Sequence, residues 1–138
     1  MIIGIPKTTE AGEHRVSMTP DVVARLTTEG HEVVVESGAG TAAGFIDSAY
    51  VATGASIGDA TRAWSADVVV SIEYPSDFGL ASLKSGAVLL GMLQPLDSPA
   101  RLTTLARTGV TSIAFEVVPR TTRAQSMDVL SSQATVAG

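Results

Sequence analysis

Short runs of β-branched and aliphatic residues recur along the chain, separated by stretches with helical spacing. Ile2–Ile5, Glu32–Val35, Val68–Ile72, Val88–Leu90 and Ser112–Phe115 read as strands. Most of these runs are continuous rather than alternating, and a strand apolar on both faces is one covered on both faces. The pattern therefore predicts an α/β fold with a mainly parallel sheet and helices on both sides, a three-layer Rossmann- or flavodoxin-like arrangement. Pro20–Glu29 predicts the clearest helix: Thr19 stands at the N-cap, Pro20 at N1 and Asp21 in the first turn, Val22, Val23 and Leu26 share a face, and Gly30 ends it. Asp47–Thr53 follows with an acidic cap and a stop at Gly54, then Asp59–Trp64, then Pro99–Thr108 with Gly109 past its end. Ser126–Val136 predicts a last helix, apolar at Met127, Leu130 and Val136, with no stop signal before Gly138.

At 138 residues the chain suits one domain, and its 45% hydrophobic and 17% charged content supports a two-sided core. A formal net charge of −5 without any Lys/Arg run argues against a nucleic-acid partner, because phosphate binding needs clustered positive charge. No apolar run is long enough to span a bilayer, and Met1–Ile5 meets Pro6 too soon for a signal peptide, so a cytoplasmic protein without direct membrane insertion is expected. With no cysteine, and with His14 and His31 as the two histidines, thiolate and three-histidine metal sites are not available from this chain.

Three segments carry candidate chemistry. Gly38-Ala-Gly40-Thr-Ala-Ala-Gly44 follows a strand, as a pyrophosphate-binding turn does, but it is one residue too long for GxGxxG and leads to a new cap at Asp47 rather than into a helix. A tight irregular turn is the better reading. Glu10-Ala-Gly-Glu-His-Arg15 lies where open α/β sheets place their ligand crevice. Arg15 there could fork onto a ligand anion or pair with Glu10 or Glu13, while His14 reads as a solvated loop residue. The third segment, Arg120–Ser132, concentrates guanidinium, amide, carboxylate and hydroxyl groups. Thr122 and Gln125 match a capping box, and Ser126 or Asp128 could serve the start of the last helix. Capping leaves Arg120 and Arg123 without a task. An arginine with an aspartate is also a matched pair for orienting a ligand carboxamide, which offers one acceptor oxygen and one NH₂ donor group.

Arg120-x-x-Arg123-Ala-Gln125-Ser-Met-Asp128-x-Leu-Ser131-Ser-Gln133-Ala resembles the signature loop of proton-translocating NAD(P) transhydrogenase α subunits. The rest of the chain is similar to the N-terminal domain that transhydrogenase NAD(H)-binding components share with alanine dehydrogenases. Gly4-Ile-Pro-Lys7, Glu13-x-Arg15-Val, Met18-Thr-Pro20, Gly30-His-Glu-Val33, Glu36-Ser-Gly-Ala-Gly40, Phe45-x-Asp47 and Gly109-Val-Thr-x-Ile113 carry that likeness. The resemblance implies that Arg120, Gln125, Asp128 and Ser131 reach the nicotinamide of NAD(H) held by a neighbouring Rossmann domain. It also implies that Gln125 is directed toward a component bearing NADP(H). It further implies membrane-spanning partner components, a homodimer, and a position on the cytoplasmic side of the inner membrane reached through those partners. Residues 1–138 then form the N-terminal domain, and the dinucleotide-binding domain is expected after Gly138, so that this chain alone binds NAD(H) weakly or not at all. A covering element of the longer protein would be missing, leaving an apolar face.

The sister activity, alanine dehydrogenase, needs groups that hold an oxo-acid and move protons. Where its pattern places a lysine two residues before a proline, this chain has Glu73-Tyr-Pro75, and where it places a histidine, this chain has Gln94. Of its substrate residues Arg15 alone remains. Hydride transfer between two nicotinamides needs neither acid nor base, which favours the transhydrogenase reading. A non-catalytic α/β interaction module is the remaining alternative.

Overall fold

A computed structural model describes all residues, Met1–Gly138. Six strands, β1 (Ile2–Ile5), β2 (Glu32–Glu36), β3 (Ser56–Gly58), β4 (Val68–Ser71), β5 (Val88–Gly91) and β6 (Thr111–Ala114), form one sheet in the order β3-β2-β1-β4-β5-β6, with every pairing parallel. The helices are α1 (Pro20–Thr28), α2 (Asp47–Val51), α3 (Ala60–Trp64), α4 (Asp77–Ser82), α5 (Pro99–Ala106) and α6 (Val129–Ala137).

The chain winds outward from β1 to β3, then crosses back through α3 to β4 and winds the other way. Because strand crossovers keep one hand, that reversal moves the helices to the opposite face. The core divides accordingly. On one side Ile3, Ile5, Val33, Val35 and Val70 meet Val23 of α1 and Tyr50 of α2. On the other, Val69 and Leu89 meet Trp64 of α3, Leu83, Leu93 and Leu105 of α5. In β4, Val69 and Val70 thus face opposite layers, which is why its apolar run is continuous.

Two glycines make this packing possible. A Cβ on Gly4 would lie 1.9 Å from the Ala63 carbonyl oxygen, so β1 admits the α3 crossover only without a side chain there. A Cβ on Gly40 would lie 2.7 Å from the Tyr50 ring, which is fully buried and donates its hydroxyl to the Met18 carbonyl at 2.9 Å. Residues 38–44 are a tight turn ending in a 3-10 segment, Thr41–Ala43, and the glycines there serve packing and turn geometry.

Several local expectations are corrected. Ser56–Gly58 is a sixth strand; it has one aliphatic residue, Ile57, and owes its place to backbone pairing with β2. Asp77–Ser82 is a helix despite Gly79, capped by the Ser76 hydroxyl, and a Cβ on Gly79 would crowd the Trp64 ring at 3.0 Å. The carboxylate of Asp47 does not cap its own helix. It accepts from the Ser37 hydroxyl and the Gly38 N–H, both at 2.8 Å, and so ties down the glycine turn. Thr19 and Ser98 occupy N-cap positions without side-chain cap bonds. The last helix is not continuous from Ser126: a 3-10 segment, Thr122–Met127, precedes α6, and Thr122 and Gln125 form no capping box.

Candidate functional site

The winding direction reverses between β1 and β4, whose C-terminal ends open into a crevice. Glu73, just after β4, bridges it: one carboxylate oxygen accepts the Thr9 N–H at 2.8 Å and the Thr9 hydroxyl at 3.0 Å, the other the Glu10 N–H at 3.0 Å. Ser71 steadies this residue, its hydroxyl donating to the Glu73 carbonyl at 2.6 Å. Glu73 is therefore a clamp on the loop after β1, a role that its place in the sequence did not announce.

The adjoining cleft, about 1070 Å³, is lined by five carboxylates, Glu10, Glu13, Glu73, Asp77 and Glu116, against two guanidiniums, Arg15 and Arg101. Neither cation is free. Arg101 lies 5.1 Å from the centre of the Tyr74 ring and donates to Gln94 Oε1 at 3.3 Å. Gln94, the one non-glycine residue with a left-handed φ, has its N–H held by Glu116 at 2.6 Å. A cleft of this charge repels a carboxylate substrate.

Arg15 resolves the alternatives left open by its sequence in favour of an ion pair. It forks onto Glu13, with Nε 2.8 Å from one oxygen and the terminal nitrogen 2.6 Å from the other. That side-chain pairing, against a smaller opposing effect of burial, holds the Glu13 carboxyl down at about 2. The remaining guanidinium nitrogen donates to Gln133 Oε1 at 3.1 Å, a contact with no local signature because 118 residues separate the partners. His14 is exposed.

The 120–131 segment forms a protruding loop leading into α6. Ala124 is buried and anchors its 3-10 turn, while Arg123, Gln125 and Ser126 around it are exposed. Asp128 is the N-cap of α6: Oδ1 accepts from the N–H groups of Leu130 at 3.1 Å and Ser131 at 3.2 Å, and Oδ2 accepts the Ser131 hydroxyl at 2.8 Å. Those bonds from Ser131, with a further contribution from the nearby charge of Arg120, hold the Asp128 carboxyl below the usual aspartate range. Arg120, Asp128 and Ser131 thus stand together. Gln125 is one turn earlier, joined to them through its carbonyl, which accepts the Asp128 N–H at 3.2 Å. The side chains of Arg120, Arg123 and Gln125 make no hydrogen bond or ion pair within the chain. The loop accordingly presents unengaged donors beside an ionised carboxylate, a set suited to a ligand amide.

A doubly wound parallel sheet with a crevice at its switch point, and a polar loop beside it, places the domain in the Rossmann-like α/β class. Residues 4–137 match the family described as alanine dehydrogenase/PNT, N-terminal domain, and the chain belongs to that family. It is 40% identical over 140 residues to the NAD(P) transhydrogenase subunit alpha of Cereibacter sphaeroides, covering 100% of this chain and 27% of that one. The crystal structure of transhydrogenase from Sinorhizobium meliloti superposes with a TM-score of 0.95 at 39% identity, over 99% of this chain and 41% of the other. An L-alanine dehydrogenase structure superposes with a TM-score of 0.81 at 35% identity, over 84% of this chain and 32% of the other. The chain thus spans about two fifths or less of these relatives' lengths.

Proposed function

We propose that this domain belongs to the NAD(H)-binding component of a transhydrogenase that passes hydride between NAD(H) and NADP(H), coupled to proton translocation. Its 120–131 loop orients the nicotinamide. The observation that carries the reading is the grouping of Arg120, Gln125, Asp128 and Ser131 on one exposed loop, with Arg120 and Gln125 unengaged and Asp128 held ionised. Their donor set fits a carboxamide: Arg120 offers N–H groups to its oxygen, Asp128 an acceptor to its NH₂, and Gln125 either. Ser131 fixes the Asp128 carboxylate so that it does not need to be ordered on binding.

Bound nicotinamide supplies or receives the hydride. The chain's residues orient the ring and move no proton, consistent with a loop that lacks histidine and lysine. The dinucleotide is carried by a Rossmann domain of the same subunit, and the NADP(H) by a separate component toward which Gln125 is directed. No helix of this chain is long and apolar enough to cross a membrane, and in this reading attachment to the cytoplasmic face of the inner membrane comes through membrane-spanning partner components. Exposed Ile113, Val117, Met127, Leu130 and Val136 leave apolar surface for further burial in that assembly, including a homodimer. The alanine dehydrogenase alternative is disfavoured by Glu73 and Gln94, both engaged within the protein, and by the acidic cleft they line.

The reading is tested by hydride transfer from NADH to an NADP⁺ analogue, using the full-length subunit mixed with its NADP(H)-binding component. Gln125→Ala and Asp128→Ala are each expected to slow transfer by about 10- to 100-fold, the scale of a misplaced reacting ring. Wild-type turnover by both variants removes the loop from the reaction.

A further inference from the structure

α6 carries the polar loop at its N-terminus, and within residues 1–138 packing does little to hold it. None of its residues is buried; Leu130 is 63% and Val136 83% exposed. Beneath it, between the helix and the sheet edge, lies a cavity of about 350 Å³ lined largely by Val70, Ile72, Met92, Phe115, Val129 and Val136. A helix over such a gap lacks the close contacts that would fix its tilt. The side-chain hydrogen bonds within α6 are local, namely the Asp128 cap, Ser132 to Val129 and Thr135 to Ser131. One bond leaves the helix for the body of the domain, from Arg15 to Gln133 at 3.1 Å.

The residue making that bond is itself firmly placed. Arg15 is forked by Glu13, the Glu13 N–H donates to the Glu10 carbonyl at 3.2 Å, and the Glu10 N–H is held by Glu73 beside β4. A continuous set of bonds therefore runs from the switch point of the sheet to the middle of α6. Gln133 lies five residues beyond Asp128, about 7.5 Å along the helix axis, so a change of tilt at one is felt at the other.

We propose that Arg15 is a positioning residue: presented by Glu13 and anchored through Glu73, it latches α6 through Gln133 and thereby sets where the 120–131 loop holds Gln125 and Asp128. The arginine is spent on the protein's own helix, and the crevice needs no anionic ligand to explain it. The functional consequence rests on the transhydrogenase reading above; the latch itself does not.

Two measurements test it. Amide hydrogen exchange across α6 is followed in the full-length subunit for wild type, Arg15→Ala, Gln133→Leu and the double variant. Each single change is expected to speed α6 exchange by about tenfold, as for loss of one charge-assisted hydrogen bond, the double variant to be no faster than either, and β1 and β4 to stay protected. Unchanged α6 protection, or effects that add, overturns the latch.

In the assembled enzyme Arg15→Ala is expected to lower kcat for hydride transfer by about tenfold with KM for NADH nearly unchanged, since a displaced ring is bound but poorly aligned. A wild-type kcat for Arg15→Ala overturns the positioning role. Gln125→Ala in the same preparations reports separately on the loop: if it too turns over at the wild-type rate, the functional reading fails, and the exchange data alone then decide the latch.

Discussion

Two carboxylates carry the residue-scale account, and both have pKa values set by hydrogen bonds in the folded chain. Glu13 is lowered from 4.5 to about 2. Because the folded value is the lower one, its contribution to stability is complete above about 4.5 and is lost as pH falls through about 2. The pair is partly solvated, so its worth at neutral pH is about 1 kcal/mol or less. Denaturant midpoints of wild type and Glu13→Gln are expected to differ at pH 7 and to converge near pH 2, as the wild-type carboxylate protonates. Asp128 is depressed in the same direction, by Ser131 first. Its cap is thus intact above ordinary aspartate values and lost on acidification. Asp128→Ala is expected to abolish the slow exchange of the Leu130 and Ser131 amides, which its Oδ1 accepts. Retention of that protection would mean that α6 is held without its cap. Sequence alone put Asp128 among the helix-start candidates and left Arg15 open between a ligand anion and a pair with Glu10 or Glu13; the local bonds decide both. It could not show Gln133 or the Glu73 clamp, whose partners are brought together only by the fold.

The elements follow from the apolar pattern where that pattern is strong. Continuous runs gave β1, β2, β4 and β5, and the Pro20 start with the Gly30 stop gave α1. The failures have a common physical cause: β3 and α4 draw little on their own sequences. β3 is held by pairing with β2, and α4 carries an internal glycine that makes room for Trp64. The capping box at Thr122 failed because the turn it opens closes as a 3-10 segment, and α6 begins only after Asp128, whose carboxylate caps it. At this scale the decisive contact is β1 against α3. Gly4→Ala brings a methyl group to 1.9 Å from a backbone oxygen, which no side-chain adjustment relieves. It is expected to destabilise by about 3 kcal/mol or more, read as a lowered thermal midpoint. An unchanged midpoint would show that the crossover lies farther from β1 than described.

Across the whole molecule, the sheet order places the β1–β4 crevice, the acidic cleft and the α6 loop on one side, with Glu13, Glu73 and Glu116 engaged internally and the loop's donors left open. The family's two activities divide on those features. An oxo-acid needs a cationic, proton-moving cleft, whereas nicotinamide alignment needs a firm polar hook. The function proposed above assigns this chain the second. The most direct test is a crystal structure of the full-length subunit with NAD(H) bound and its NADP(H) component present. The account predicts the nicotinamide carboxamide within hydrogen-bond distance of Arg120 or Asp128, with Gln125 turned toward the second dinucleotide. A loop that faces bulk water, remote from either nicotinamide, would contradict it.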